Sequence, residues 1–336
     1  MRYPENLKIG DTIGICAPSD GIVEPEKIEK LNKAIEQLES MGYKVIETES
    51  VRKSTIGRSA SATKRAEEFM SLMKNNDVKL ILYAGGGDFL MEMLEELDFE
   101  EISKMKPKWT QGFSDITTIS FPLNIISDMP SIYCDAVKDY AMKPLYRNLI
   151  DALKIASGEE IIQYSFQKHS SGKEDNADYT YNLELETKWE NITGQKEIVM
   201  QGRALGGCLD CVDTLIGTKF DKVKEYIKKY KNDGIIWFLE CFEMNTPQLE
   251  RILWKMKNAG YFENCKGIIF GRSFIMREDY ELTFNQACIE VLGGLNIPII
   301  TNADIGHAPP QLAMVNGAIL KITSQNGKGT VETFLK

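Results

Sequence analysis

Alternating apolar strands and amphipathic helices predict an α/β protein, an N-terminal parallel-sheet domain followed by a second α/β domain. Three observations carry this expectation. Short apolar runs end repeatedly in turn residues, as TIGICA does before Pro18, Ser19 and Asp20, and VKLILYA before Gly85, Gly86 and Gly87. Segments with apolar residues at helical spacing lie between those runs. The composition turns polar after about residue 157 and then the alternation resumes, so 336 residues divide as two domains do.

The elements follow in order. Residues 12–17 read as a buried strand. Ile28, Leu31, Ala34, Ile35 and Leu38 recur at helical spacing over about 25–41, where Gly42 stops the helix. YKVIET is the next strand, 63–75 a helix, and 78–87 a buried strand that runs into glycines. A helix at 89–97, a strand before Gly112 and a helix after Ser114 complete the first half. Strand and helix in alternation imply a parallel sheet covered on both faces. The polar SGEEIIQYSFQKHSSGKEDNADYT reads as a linker or excursion, and places the domains at 1–169 and 170–336. The second half offers strands at 235–240 and 266–271, and helices at 246–259 and about 283–292.

Hydrophobic residues make up 43% and charged residues 26%, the balance of a soluble globular chain. The net charge of −9 argues against nucleic acid or an anionic membrane as partner, since neither gains attraction from such a field. The N-terminal residues lack the apolar core of a secretory signal, and no stretch approaches the roughly 18 apolar residues of a membrane span. Seven cysteines, an odd and scattered count, fit a reducing cytoplasm. Cys208 and Cys211 form a C-x-x-C, expected on a helix face rather than at a redox or metal site.

Four segments could carry chemistry. Ser114 in GFSDI stands where an apparent strand meets a helix. There it reads either as an N-cap or as a serine presented toward the Asp115 N–H. Gly85, Gly86 and Gly87 end a buried strand and either loosen a turn or offer backbone amides. Glu240 closes an otherwise apolar strand, at the edge where ligands of α/β sheets gather; it could equally pair with a cation or cap a helix. His307, one of only two histidines, sits among Gly306, Pro309 and Pro310, while His169 reads as a solvated linker residue. Together these would supply nucleophile, base, orienting carboxylate and oxyanion donors.

The segments LKIGDTIGICAPSDGI, AGGGD, GFSDIT, ALGGCLDCVDTLIGT, FLECFEMNTPQLERIL, GIIFG and DIGHAPPQLAMVNGA resemble, in this order, the LD-carboxypeptidase family of serine peptidases. That family includes murein-tetrapeptide carboxypeptidases and self-immunity peptidases acting on processed microcin C. The resemblance implies two α/β domains with the active site at their interface, and Ser114, Glu240 and His307 as a catalytic triad. It further implies an oxyanion hole from Asp115 with Gly86 or Gly87, a homodimer, and no metal or cofactor.

The sequence departs from the family pattern after the glycines. There Asp88, Phe89, Leu90 and Met91 stand in place of an arginine that would anchor a terminal carboxylate. Tyr133, Cys134, Asp135 and Ala136 replace a usual Gly-Pro, and Cys208 a frequent asparagine. The departures lean toward the microcin-immunity branch, with Trp189 as a possible stacking surface for a base. The expected activity is then hydrolysis of an aminoacyl- or peptidyl-nucleotide amide. Its alternatives are release of D-alanine from murein tetrapeptide, or an inactive two-domain small-molecule-binding protein.

Overall fold

The structure, a computed structural model, describes residues 1–172 and 176–336. Met1–Glu160 with residues 176–181 form one compact unit, and residues 161–172 with Asn182–Lys336 form the other.

The first unit contains strands β1 (Thr12–Cys16), β2 (Lys44–Glu47), β3 (Val78–Tyr83), β4 (Trp109–Gly112) and β5 (Ser131–Tyr133). They lie in the order β5-β4-β3-β1-β2, all parallel. β1 is buried throughout and β3 at all but one position, as strands covered on both faces must be. Helix α1 (Pro25–Ser40) opens with Pro25 in its first turn and buries Leu31, Ala34 and Leu38. α2 (Ala62–Lys74) is capped by Ser61, which accepts from the Lys64 N–H. α3 covers Met91–Leu94 only, shorter than the expected 89–97; just before it the Leu90 N–H is taken by Asp115 Oδ2. α4 (Phe99–Lys104), α5 (Thr117–Ile125) and α6 (Arg147–Ala156) complete the unit.

The second unit begins earlier than the expected 169/170 boundary. β6 (Ile161–Tyr164) lies in what the composition suggested was linker, yet pairs with a strand near the C-terminus. β7 (Lys168–His169) and β8 (Leu185–Glu186) form a short ladder, so His169 is half-buried rather than solvated. Its Nδ1 lies 3.2 Å from Thr187 Oγ1. Burial, with a smaller effect from Arg272, pushes its imidazole down to about 4.

The remaining strands are β9 (Glu190–Asn191), β10 (Glu197–Cys208), β11 (Ile235–Glu240), β12 (Cys265–Gly271), β13 (Ile299–Ala303), β14 (Met314–Asn316), β15 (Ile319–Gln325) and β16 (Lys328–Phe334). The main sheet runs β6-β16-β15-β10-β11-β12-β13-β9. β10 through β13 are parallel, with antiparallel strands on both flanks. α7 (Leu209–Leu215) follows β10 directly and α8 (Val223–Lys229) leads to β11. Cys208 therefore closes a strand and Cys211 lies in the first helical turn, not both on one helix face as expected. α9 (Thr246–Asn258) and α10 (Phe284–Leu292) begin with capping boxes, Asn245 with Gln248 and Thr283 with Gln286. Among the described residues no helix is long and apolar enough to cross a membrane.

The β10–β11 pair is packed to its limit at Gly206. A Cβ there would lie 1.7 Å from the Phe238 carbonyl oxygen, and the Asn316 carboxamide holds the Gly206 N–H and carbonyl from the other side. Gly206→Ala is expected to destabilise the protein by about 3 kcal/mol or more, since backbone cannot yield as a side chain can. Urea unfolding of the two proteins measures it.

Candidate active site

Three loops of the first unit leave the carboxyl ends of parallel strands: β1 before Ser19, β3 before Gly85–Gly87, and β4 before Ser114. Ser114 has φ +63°, the left-handed region that a residue with a Cβ occupies only under strain. In the turn Ser114–Ile116 the N-cap position falls to Phe113, so Ser114 is the first residue of the turn rather than its cap. Its own N–H donates to Tyr133 Oη at 3.3 Å.

Gly86 packs directly on this turn. A Cβ there would lie 3.0 Å from Ser114 Cβ, 3.1 Å from its Oγ and 3.4 Å from the Asp115 nitrogen. Gly87 (φ +159°) approaches Ser19, whose Oγ a Cβ would meet at 2.4 Å. Ser19 in turn donates to Asp115 Oδ2 at 2.5 Å, and the same oxygen accepts from the Leu90 N–H at 3.1 Å. Asp115 Oδ1 accepts from Thr118 Oγ1 at 3.1 Å. Burial raises the Asp115 carboxyl, against these donors, which lower it. One carboxylate thus ties the β1 loop, the glycine loop and the helix after Ser114 together.

The second unit brings Glu240 and His307 together. Glu240, 1% exposed, ends β11, and its Oε2 lies 3.0 Å from His307 Nδ1. The carboxylate thus faces the Nδ1 side of the ring, and Nε2 is the nitrogen turned away from it. Phe242 stacks on the imidazole with centroids 4.1 Å apart. Gly306 has φ +93°, and a Cβ there would meet Glu240 Oε2 at 2.6 Å, so only glycine lets the carboxylate lie against the loop.

Arg272 and Asp304, which the sequence reading missed, fix the His307 loop. Asp304 Oδ1 accepts from Arg272 Nη1 at 2.5 Å, and Arg272 Nη2 donates to the carbonyls of Ala308 and Pro310 at 2.7 and 2.8 Å. Both side chains are buried, and burial pushes the Asp304 carboxyl up against the pull of Arg272. The signal in the sequence was a lone acid and a lone arginine at the ends of two apolar strands, where unpaired charge is not tolerated.

Trp189 requires a correction. It is 2% exposed, its Nε1–H donates to Asp304 Oδ2 at 2.8 Å, and its ring lies where a Cβ on Gly329 would come within 2.0 Å. A ring packed this way offers no face to a base; Trp189 is part of the Asp304 brace. Among the described residues no group of three or more His, Cys, Asp or Glu is arranged to hold a metal.

Comparison with known proteins follows the same two halves. Residues 13–134 match the LD-carboxypeptidase N-terminal domain, and residues 201–322 the LD-carboxypeptidase C-terminal domain. The chain is 25% identical over 335 residues to the microcin C7 self-immunity protein MccF of Escherichia coli, covering 95% of this chain and 92% of that one. It is 22% identical to a probable murein peptide carboxypeptidase of Bacillus subtilis, covering 98% and 94%. The structure of MccF in complex with glutamyl sulfamoyl guanosine shares the fold, with a TM-score of 0.78 at 22% identity over 100% and 99% of the two chains.

The brace predicts how Trp189 acts. Trp189→Phe keeps much of the packing but removes one of the two donors to Asp304 Oδ2, the Phe166 N–H being the other, and is expected to cost about 1.5–3 kcal/mol of stability, the worth of a hydrogen bond to a charged group. Equilibrium urea unfolding reads this; an unchanged midpoint contradicts the brace.

Proposed function

The chain belongs to the LD-carboxypeptidase family in both halves, and from that premise we propose that it is a serine peptidase or amidase working through an acyl-enzyme. Ser114 is the nucleophile, His307 the general base and Glu240 the carboxylate that orients it. The observation that carries this reading is the left-handed backbone of Ser114 with Gly86 packed against it, a strain that the N-cap reading does not account for.

In this mechanism Ser114 Oγ attacks the amide carbonyl while His307 Nε2 takes its proton. Glu240, bonded to Nδ1, holds the tautomer and stabilises the imidazolium. The N–H groups of Asp115 and of Gly86 or Gly87 receive the oxyanion. Collapse expels the amine, which carries away the proton from His307, and water then releases the acyl group by the same steps in reverse order.

For the substrate we favour an aminoacyl- or peptidyl-nucleotide amide over murein tetrapeptide. A carboxypeptidase must hold a terminal carboxylate with a cation or amides. The guanidiniums beside the glycine loop are both committed to Glu92: Arg58 bonds it at 2.6–3.1 Å and Arg65 at 2.8 Å. Arg58 also stacks on Phe89 at 3.6 Å. With Trp189 buried, this commitment of charge is what supports the substrate reading.

A fluorophosphonate is expected to label Ser114, and His307→Ala to slow labelling by about 10²–10⁴-fold. Ser114→Gly should take no label and unfold about 1 kcal/mol later, because glycine relieves the left-handed strain. Mass spectrometry and urea unfolding read both; absence of an adduct in the parent protein favours a binding protein instead. Incubation with an aminoacyl sulfamoyl adenosine and with murein tetrapeptide, side by side, separates the substrate classes. Release of D-alanine without cleavage of the nucleotide compound assigns the murein reading.

A further inference from the structure

The C-x-x-C of β10 and α7 stands at the same sheet edge as Glu240 and His307. Cys208 closes β10 in register with Glu240 on β11, and Cys211 follows in the first turn of α7. Three residues apart across the junction of strand and helix, the two side chains are near neighbours, and each thiol acts on the other electrostatically. Cys208 is buried, whereas Cys211 is half-buried.

Between them, Asp210 connects the pair to the imidazole. Its Oδ2 accepts from Cys208 Sγ at 3.5 Å and from the Phe242 N–H at 3.2 Å. Phe242 is the residue whose ring stacks on His307. The turn that carries the two thiols therefore also positions the aromatic wall of the histidine. We propose that Cys208 and Cys211 are a modification site, a dithiol that a low-molecular-weight disulfide reversibly converts to an intramolecular disulfide, and that its state is felt at His307.

The step balances as two thiol–disulfide exchanges. The Cys211 thiolate attacks one sulfur of the reagent, forming a mixed disulfide and releasing one thiol. Cys208 then loses its proton and attacks Cys211 Sγ, expelling the second thiol. Two protein thiols are oxidised by two electrons, the reagent is reduced to two thiols, and the two protons end on these. Cys211 attacks first because it is the less buried of the two and because its neighbour's thiol is raised, by the interaction with Cys211 and by burial. Oxidation removes the S–H that Cys208 donates to Asp210, leaving that carboxylate with a different set of donors beside Phe242.

The remaining cysteines lack this arrangement. Cys16, Cys134, Cys241 and Cys288 are buried and closed to a soluble oxidant, although Cys241 lies within electrostatic reach of Cys288. Burial raises the Cys265 thiol to about 12.

The test equilibrates the full chain in glutathione buffers of rising oxidised fraction, followed by alkylation of free thiols under denaturing conditions and peptide mass spectrometry. Cys208 and Cys211 should lose alkylation together, with a linked peptide lacking two hydrogens, before any other cysteine reacts; dithiothreitol should restore both. In Cys211→Ser, Cys208 should remain alkylatable at the same buffer. The chain has two histidines, so a carbon-labelled histidine spectrum reports the second half of the proposal. Oxidation should move the His307 ring resonance and leave that of His169 in place. A stable glutathione adduct on Cys211 with Cys208 still free, or no loss of alkylation at either, overturns the disulfide. A disulfide that leaves the His307 resonance where it was overturns the coupling. None of these readouts uses catalysis, so the proposal stands or falls apart from the assignment of Ser114 as nucleophile.

Discussion

The carboxylate of Asp115 holds three loops that leave different strands, and the geometry around Ser114 depends on it. Ser19 comes from the end of β1, Leu90 from the loop after β3, and Thr118 from the helix after β4; all three donate to the same buried group. A residue forced to φ +63° is strained by about 1–3 kcal/mol and persists only where its surroundings over-determine it. Hydrogen bonds to a charged acceptor contribute about 1.5–3 kcal/mol each, so the Asp115 network is large enough to hold that strain. Burial opposes the charge but does not cancel the donors, which is why the Asp115 carboxyl rises without losing its partners.

The second unit solves the same problem with opposite charges. A buried ion pair such as Arg272 with Asp304 adds little net stability against well-packed apolar residues, yet removal of one partner strands the other at a cost of about 3–5 kcal/mol. What the pair provides here is position. Arg272 spends its remaining donors on the carbonyls of Ala308 and Pro310, and Asp304 receives Trp189 and the Phe166 N–H. His307 therefore hangs between a pinned strand end and a pinned proline turn. Its ring is wedged between Glu240 at one edge and Phe242 on one face, which leaves it little rotamer freedom.

Much of the fold could be read in the sequence because burial on both faces writes itself as uninterrupted apolar runs. IIWFLE lies at 235–240 as read, and the helices expected from 246 and about 283 begin at Thr246 and Phe284. Three of the misreadings share one physical origin: polar composition conceals burial that comes from distant pairing. Residues 161–164 contain Gln163 among apolar neighbours, but their ladder partner lies on β16, far along the chain. Trp189 sits in a polar stretch and is buried because Gly329 gives it room and Asp304 takes its N–H, neither of which is near in sequence. His169 was misread for the same reason, since its shelter comes from β8. Cys208 and Cys211 have another origin of error: spacing by three suits a helix face, while the strand in fact runs through Cys208 and the helix begins only at Leu209.

The glycines at the strand ends show why these motifs are specific to their carboxylates. Gly271 lets the Ile305 carbonyl approach, and a Cβ there would also meet Glu240 Cβ at 3.0 Å; Gly306 closes on the same carboxylate from the loop side. A buried carboxylate must be surrounded by partners rather than by solvent, and each added methyl here would push one of them away. Glu240 thus owes its place less to its own strand than to two missing side chains on its neighbours. The first unit repeats this logic at Gly86 and Gly87, where missing side chains bring the glycine loop against Ser114 and Ser19. In both units the chain sets a polar side chain at a strand end, Ser114 in one and Glu240 in the other, removes the Cβ atoms around it, and ties the resulting close approach with a buried charge.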